Sequence, residues 1–248
     1  MMANDTTFGQ DANAYRAARP TYPDALFDWI AGEAPGRSLV WDVGTGSGQA
    51  AVALAARFAS VHATDVDARQ VAAAAPHPRV RYAAAPAERS GLADGSADAV
   101  TVATALHWFD LAAFWAEVRR VLRPGGVFCA WTYHRAEADA ETEARLLAPI
   151  LATIDPYWSA GNRLSWRGYP PDEIAFPFAP LTPPPFACVP RWSPAEVAGF
   201  VRSWSAYRKA AADRHAETLD RIERDAVIVL GDAPRPFRLP LFVRAGRA

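Results

Sequence analysis

The run Leu39-Val-Trp-Asp-Val-Gly-Thr-Gly-Ser-Gly-Gln49 constrains this chain more than any other stretch, because an apolar strand-like segment there meets three glycines at alternate positions. Ser38 to Val43 reads as a buried strand, and Gly44, Gly46 and Gly48 permit backbone conformations closed to other residues. Ala50 to Phe58 then reads as a helix that packs Val52, Leu54, Ala55 and Phe58 on a sheet. Strand, bare turn and helix in that order let a ligand approach the main chain, and N–H groups at the helix start attract a negative group. The spacing is G-x-G-x-G with Asp42 in front of it, whereas the dinucleotide fingerprint places its third glycine one position later. Taken alone, the turn has two readings: a nucleotide-like ligand site, or a tight connection that binds nothing.

The following segments alternate strand and helix. Ser60-Val-His-Ala-Thr-Asp65 is a second strand ending in an acid seventeen positions beyond Gly48. That distance suits a carboxylate that accepts hydrogen bonds from both hydroxyls of a ribose. Asp67 competes for this role but is better placed to cap a helix over Ala68 to Ala75. Arg79 to Ala83 is a third strand and Asp98 to Thr104 a fourth. Leu106-His-Trp-Phe-Asp110 follows the fourth, at the carboxyl edge where open α/β sheets hold their ligands. Asp110 caps a helix whose Leu111, Phe114, Trp115, Val118 and Leu122 recur at helical spacing. Leu122-Arg-Pro-Gly-Gly126 ends it, and Val127 to Tyr133 is a fifth strand. Such βα alternation predicts an α/β fold with a parallel, doubly wound sheet.

A chain of 248 residues with 51% hydrophobic and 21% charged residues can bury a sizeable core. Its formal net charge of -1 supplies no attraction for nucleic acid or an anionic membrane. Lys209 is the only lysine, which excludes most lysine-based mechanisms. Cys129 and Cys188 lie in strand-like runs without metal-ligand spacing and are expected as free buried thiols. No leader pattern follows Met1 and no apolar run approaches about 18 residues, so a cytoplasmic protein is expected.

The motif Asp42-Val-Gly-Thr-Gly-Ser-Gly48 resembles the first motif of the class I S-adenosylmethionine-dependent methyltransferases. Tyr15-x-x-x-Arg19-Pro-x-Tyr22-Pro23, His107-Trp-Phe-Asp110 and Ser203-Trp-Ser-Ala-Tyr-Arg208 are similar to segments of the trans-aconitate methyltransferase-like subgroup, within the type 11 methyltransferases. The resemblance implies a Rossmann-like, mostly parallel seven-stranded sheet with an N-terminal lid over residues 1–35, a cofactor-binding core over 36–133, an inserted cap over 134–185 and a C-terminal completion of the sheet over 186–248. It implies S-adenosyl-L-methionine as cofactor, held by Tyr15, Arg19, Asp42, Gly44, Thr45, Gly46, Gly48, Gln49, Asp65, Val66, Ala87, Glu88 and Ala103. The family often has Asp before the adenine-loop alanine, and Pro86 stands there in this chain.

Beyond the core, Asp24 is expected to cap a helix to Ile30. A helix near Ala138 to Ile154 precedes a stretch to Pro185 that is too polar and interrupted for a sheet core. Phe186 to Trp192 reads as a sixth strand, Ser193-Pro194 as a helix start, and Pro236 to Arg244 as the final strand. Tyr22, His107, Trp108, Trp158, Arg163, Trp166 and Trp204 are the candidate acceptor contacts, since Arg offers a planar fork for a carboxylate and Trp a flat apolar wall. His107 is also the candidate acid or base; bracing of its loop is the other reading. Methyl transfer needs alignment more than proton transfer, consistent with the absence of a triad or paired-carboxylate signature. The expected activity is methylation of a small-molecule carboxylate or hydroxyl by a monomer or homodimer, with a non-catalytic S-adenosylmethionine-binding module as the competing reading.

Overall fold

The structure is a computed structural model that describes residues 19–248. Tyr15 and most of the expected lid lie outside the described residues. The chain forms two compact units. One contains Tyr22–His134, Leu164–Ala187 and Pro240–Ala248, and the other is built from Arg135–Arg163 and Cys188–Leu239 together with residues 19–21. The expected cap is therefore divided between the units, with residues 164–185 in the sheet unit.

In the sheet unit, α1 (Asp24–Glu33) precedes β1 (Leu39–Val43), α2 (Gln49–Leu54), β2 (Ser60–Asp65), α3 (Ala68–Ala72), β3 (Val80–Ala84), β4 (Ala97–Ala103), a 3₁₀ turn (Leu106–Trp108), α4 (Leu111–Val121) and β5 (Leu122–Tyr133). Further along the chain come β6 (Ala179–Leu181), β7 (Phe186–Cys188) and, after the other unit's elements, the last strand (Leu239–Arg247). The sheet path is β3-β2-β1-β4-β5, then the last strand, then β6, with β7 also pairing the last strand. The pairs among β1 to β5 are parallel, and the last strand is antiparallel to β5. This is the expected mostly parallel Rossmann-like sheet, seven strands on one path, with an eighth strand attached.

Helices cover the sheet through apolar stripes. Phe114, Trp115, Val118 and Val121 of α4 are buried in one cluster with Trp41, Val100, Val102 and Phe128 of the strands. Asp110 caps α4 as expected, accepting the N–H groups of Ala112 and Ala113 at 3.1 and 3.3 Å. Asp67 likewise caps α3 through Arg69 N–H at 2.9 Å. Below the sheet, fully buried Asp98 accepts the main-chain N–H groups of Ser38 at 2.7 Å and Leu39 at 2.9 Å and pairs with Arg123 at 2.8 Å. That carboxylate ties the start of β1 to β4.

Several local expectations need correction. Pro23 occupies the N-cap of α1 and Asp24 is its first helical residue, where its charge still suits the free N–H groups. The Leu122–Gly126 segment is part of β5: the register with β4 shifts between Ala97, opposite Leu122, and Ala99, opposite Val127, and left-handed Gly125 at φ 76° lies within that irregularity. Ala179–Leu181 adds an edge strand inside the stretch read as too irregular for a sheet. The Phe186–Trp192 strand breaks after Cys188, because its second half, β8 (Arg191–Trp192), pairs with β9 (Arg235–Pro236) in a separate ribbon. The last strand, numbered β10, starts at Leu239 and not at Pro236.

The second unit is helical. Ala140–Thr142, a π-helical turn Glu143–Leu147 and Ala148–Ile154 make the expected helix (α5 to α6), followed by α7 (Ala160–Trp166), which crosses into the sheet unit. Pro194–Arg202 (α8) begins with a capping box between Ser193 and Glu196. Ser205–Ala210 (α9) and Ala216–Leu230 (α10) complete the unit. Both cysteines are free and buried. Among the described residues no helix is long and apolar enough to cross a membrane.

Candidate functional site

The glycine turn is built by its neighbours' side chains. Asp42, at 0% exposure, accepts the hydroxyls of Thr45 at 2.6 Å and Thr101 at 2.8 Å, and Thr101 is its register partner on β4. Burial raises the Asp42 carboxyl to about 6, against the pull of those two hydroxyls. Thr45 N–H donates to Thr64 C=O at 3.0 Å, which holds the turn to β2. Asp42 therefore braces the turn from beneath, with both oxygens occupied.

Asp65 closes the turn from the side. Its Oδ2 accepts Gly46 N–H at 2.8 Å and its Oδ1 accepts Asp67 N–H at 2.9 Å. Desolvation raises its pKa, and the main-chain donors oppose that rise. Gly44, Gly46 and Gly48 all have positive φ, but they differ in what surrounds them. A Cβ on Gly44 would meet Ala105 Cβ at 2.6 Å, and one on Gly48 would meet the Tyr82 hydroxyl at 2.3 Å. A Cβ on Gly46 would meet nothing within 4 Å. Main chain therefore borders open space at Gly46, beside the Asp65 carboxylate and next to Val66, which is 60% exposed.

This cradle fits an adenosyl ligand: a carboxylate for the sugar hydroxyls, an apolar residue for the base and a side-chain-free bend for the amino-acid tail. Ala87 is buried. Glu88 accepts Asp110 N–H at 3.0 Å and so ties the adenine-loop segment to the start of α4. The same segment is braced at Ser90, whose N–H and hydroxyl reach Glu117 at 2.7 and 2.6 Å. Arg120 and these donors hold the Glu117 carboxyl down at about 2. Gln49 opens α2, and Ala103 ends β4 half-buried.

Past Ala103 the chain enters a left-handed residue, Thr104 at φ 54°, and then the 3₁₀ turn carrying His107. His107 Nδ1 lies 3.0 Å from the Tyr169 hydroxyl, and its Nε2 is buried without a hydrogen-bond partner among the described residues. Burial lowers the imidazole to about 4, so it is neutral near pH 7. Trp108 packs its ring 4.7 Å from that of His107 and is 42% exposed. Tyr22 is buried, stacked on Tyr133 at 5.7 Å and edge-on to Trp131 at 5.4 Å. Trp166 is half-buried in the same unit.

The remaining expected contacts belong to the helical unit. Arg19 lies over the Phe200 ring at 5.6 Å, and Trp204 packs on Phe200 and Trp158 at 5.2 and 5.8 Å. Arg163 is exposed and paired with Asp155. Sequence reasoning missed Thr101, Tyr82 and Tyr169 as site-building residues. The parallel register of β1 against β4 was the available signal for Thr101; nothing local marked Tyr169.

Residues 41–130 match the family described as "Methyltransferase domain". A Dictyostelium discoideum protein named as a methyltransferase is 33% identical over 210 residues, covering 82% of this chain and 78% of that protein. A Mycobacterium tuberculosis protein named as an uncharacterized methyltransferase is 40% identical over 125 residues, 48% of this chain and 49% of its own length. Among solved structures, one from Anaeromyxobacter dehalogenans described as a type II methyltransferase superposes with a TM-score of 0.85 at 39% identity, covering 92% of this chain and 97% of that one.

Proposed function

Because the chain belongs to the class I S-adenosylmethionine-dependent methyltransferases, we propose that it methylates a small-molecule acceptor at a carboxylate or hydroxyl oxygen, by direct in-line displacement. The observation that carries this reading is the polarity at the carboxyl ends of β4 and β5. There the side chains of His107, Tyr169, Thr132 and Ser165 are uncharged hydrogen-bonding groups, closely packed. Such groups suit an acceptor oxygen and offer no counter-charge for a polyanion.

S-adenosyl-L-methionine supplies an electrophilic sulfonium methyl. Asp65 would hold its ribose, Val66 and Ala87 its adenine, and the main chain of Gly44 to Gly48 its amino-acid end, with Asp42 and Thr101 keeping that bend rigid. Rigid holding is the main contribution the residues can make, since in-line attack depends on alignment and exclusion of water. A carboxylate acceptor is already ionised near neutral pH and requires no base. We assign acceptor contact in the sheet unit to Tyr22, His107, Trp108 and Trp166. A cytoplasmic setting, as monomer or homodimer, completes the reading.

The test is untargeted mass spectrometry of cell-extract metabolites incubated with the protein and S-adenosyl-L-methionine. Metabolites that gain one CH₂ unit only with active protein are expected, and their fragmentation should place it on oxygen. A gain on nitrogen or carbon, or on macromolecules alone, overturns the acceptor assignment.

A further inference from the structure

We propose that Tyr169 is a positioning residue that donates its phenol proton to Nδ1 of His107, so that the imidazole presents Nε2–H to an oxygen of the methyl acceptor as a hydrogen-bond donor and not as a base. This rests on the reading that the crevice beside β4 is the methyl-transfer site, and it narrows the acceptor to one that is anionic on oxygen before it binds.

The direction of the hydrogen bonds follows from the groups present. Thr132 and Ser165 hydroxyls lie 2.6 Å apart, and both bear on the Tyr169 phenol, as does the main chain of Leu106. Among these hydroxyls the phenol is the strongest acid, and among the acceptors the imidazole nitrogen is the strongest base. One alcohol proton is taken by the bond between Thr132 and Ser165, the other points toward the phenol oxygen, and the phenol proton points to Nδ1. A neutral imidazole whose Nδ1 accepts must carry its proton on Nε2. That Nε2 is the ring atom left buried without a partner. Burial keeps the ring uncharged, which removes the doubly protonated form.

Tyr169 is held in place by more than its hydroxyl. It is 1% exposed and sits at φ 56°, a left-handed conformation that a bulky residue adopts only where its surroundings impose it. Gly168 before it is also left-handed, and a Cβ there would meet the Phe242 ring at 2.4 Å. The Arg244 guanidinium donates to Tyr169 C=O and, at 3.4 Å, to Ile174 C=O, while lying 4.3 Å over the Phe176 ring. Together with Thr104, two strained residues thus bracket His107, one in sequence and one in space.

The experiment is ¹⁵N NMR of the full chain with labelled histidine, near neutral pH, with His107→Asn used to assign the His107 ring. In the wild-type protein we expect a protonated Nε2 and a bare Nδ1. Tyr169→Phe keeps the ring and its packing, and should give two exchanging tautomers. A proton on Nδ1 in the wild type, or a His107 spectrum unaltered by Tyr169→Phe, overturns the proposal. Calorimetry with S-adenosylhomocysteine on the same samples separates the two levels. If the tautomer is as stated but no S-adenosylhomocysteine binds, the acceptor role of Nε2–H falls together with the methyltransfer reading of the crevice.

Discussion

The carboxylate of Asp65 accepts the main-chain N–H of Gly46 at 2.8 Å, so the acid at the end of β2 and the middle glycine of the turn after β1 hold each other in place. One residue thereby serves both the shape of the bend and the binding of a sugar beside it. Asp65→Ala should weaken S-adenosylhomocysteine binding at least tenfold by calorimetry, since hydrogen bonds to a charged group contribute about 1.5–3 kcal/mol each. Binding within twofold of wild type would remove Asp65 from the ribose role.

The outer and middle glycines should fail differently. Gly48→Ala drives a methyl into the Tyr82 ring and forces a non-glycine residue to φ 83°, so the melting temperature should fall. Gly46→Ala has no clash to relieve in the free protein, only backbone strain of about 1 kcal/mol. It should melt near the wild type yet lose ligand affinity, because its methyl occupies the open side of the bend. Equal effects of the two substitutions on melting would contradict the geometry.

Asp42 predicts a pH dependence of unusual sign. Its carboxyl is raised to about 6 by burial, so the folded chain binds that proton more tightly than the unfolded chain does. The stabilisation is fully present below the unfolded value of 3.8 and is lost as pH rises through about 6. Across that window wild type should lose about 3 kcal/mol relative to Asp42→Asn, taking 1.4 kcal/mol per unit. Denaturant titrations of both proteins at pH values on either side check this through their difference.

Glu117 has the opposite sign. Held at about 2 by Arg120 and by Ser90, it contributes stability above its ordinary range that disappears as pH falls toward 2. Glu117→Gln should cost about 1–3 kcal/mol near neutral pH and little in acid, by leaving Ser90 and Arg120 with a weaker acceptor. Its effect on ligand affinity should follow the loosening of the Ala87–Glu88 segment.

Asp98→Ala strips the acceptor from two main-chain N–H groups and from Arg123, far from the crevice. A loss of about 3 kcal/mol in unfolding free energy is expected, with unaltered affinity for S-adenosylhomocysteine in the protein that remains folded. An affinity change would show that the base of β1 is coupled to the turn at its other end.

Much of the core was legible because local chemistry and global fold agree there. The alternation of strand and helix, the caps at Asp67 and Asp110 and the glycine turn each depend on residues adjacent in sequence. Tyr169 was not legible as a partner of His107, since 62 residues separate them and only the folded sheet brings them together. The strand at Ala179–Leu181 was hidden for a related reason: its proline and its exposure look like loop, and pairing with β10 alone makes it a strand. Trp204 was legible as a packing residue from its place on a helix, and its ring is 7% exposed and packs on Phe200 and Trp158.

The placement of β10 between β5 and β6 has a consequence for how the protein is made. As the nascent chain leaves the ribosome, β1 to β5 can pair in order, but β5 then waits with its outer row of amides and carbonyls bare until Leu239–Arg247 emerges. Until then that ribbon is an adhesive edge, open to pairing with another unfinished copy. Arrival of the last strand beside β5, and not the forming of any single helix, is therefore the event that seals the sheet.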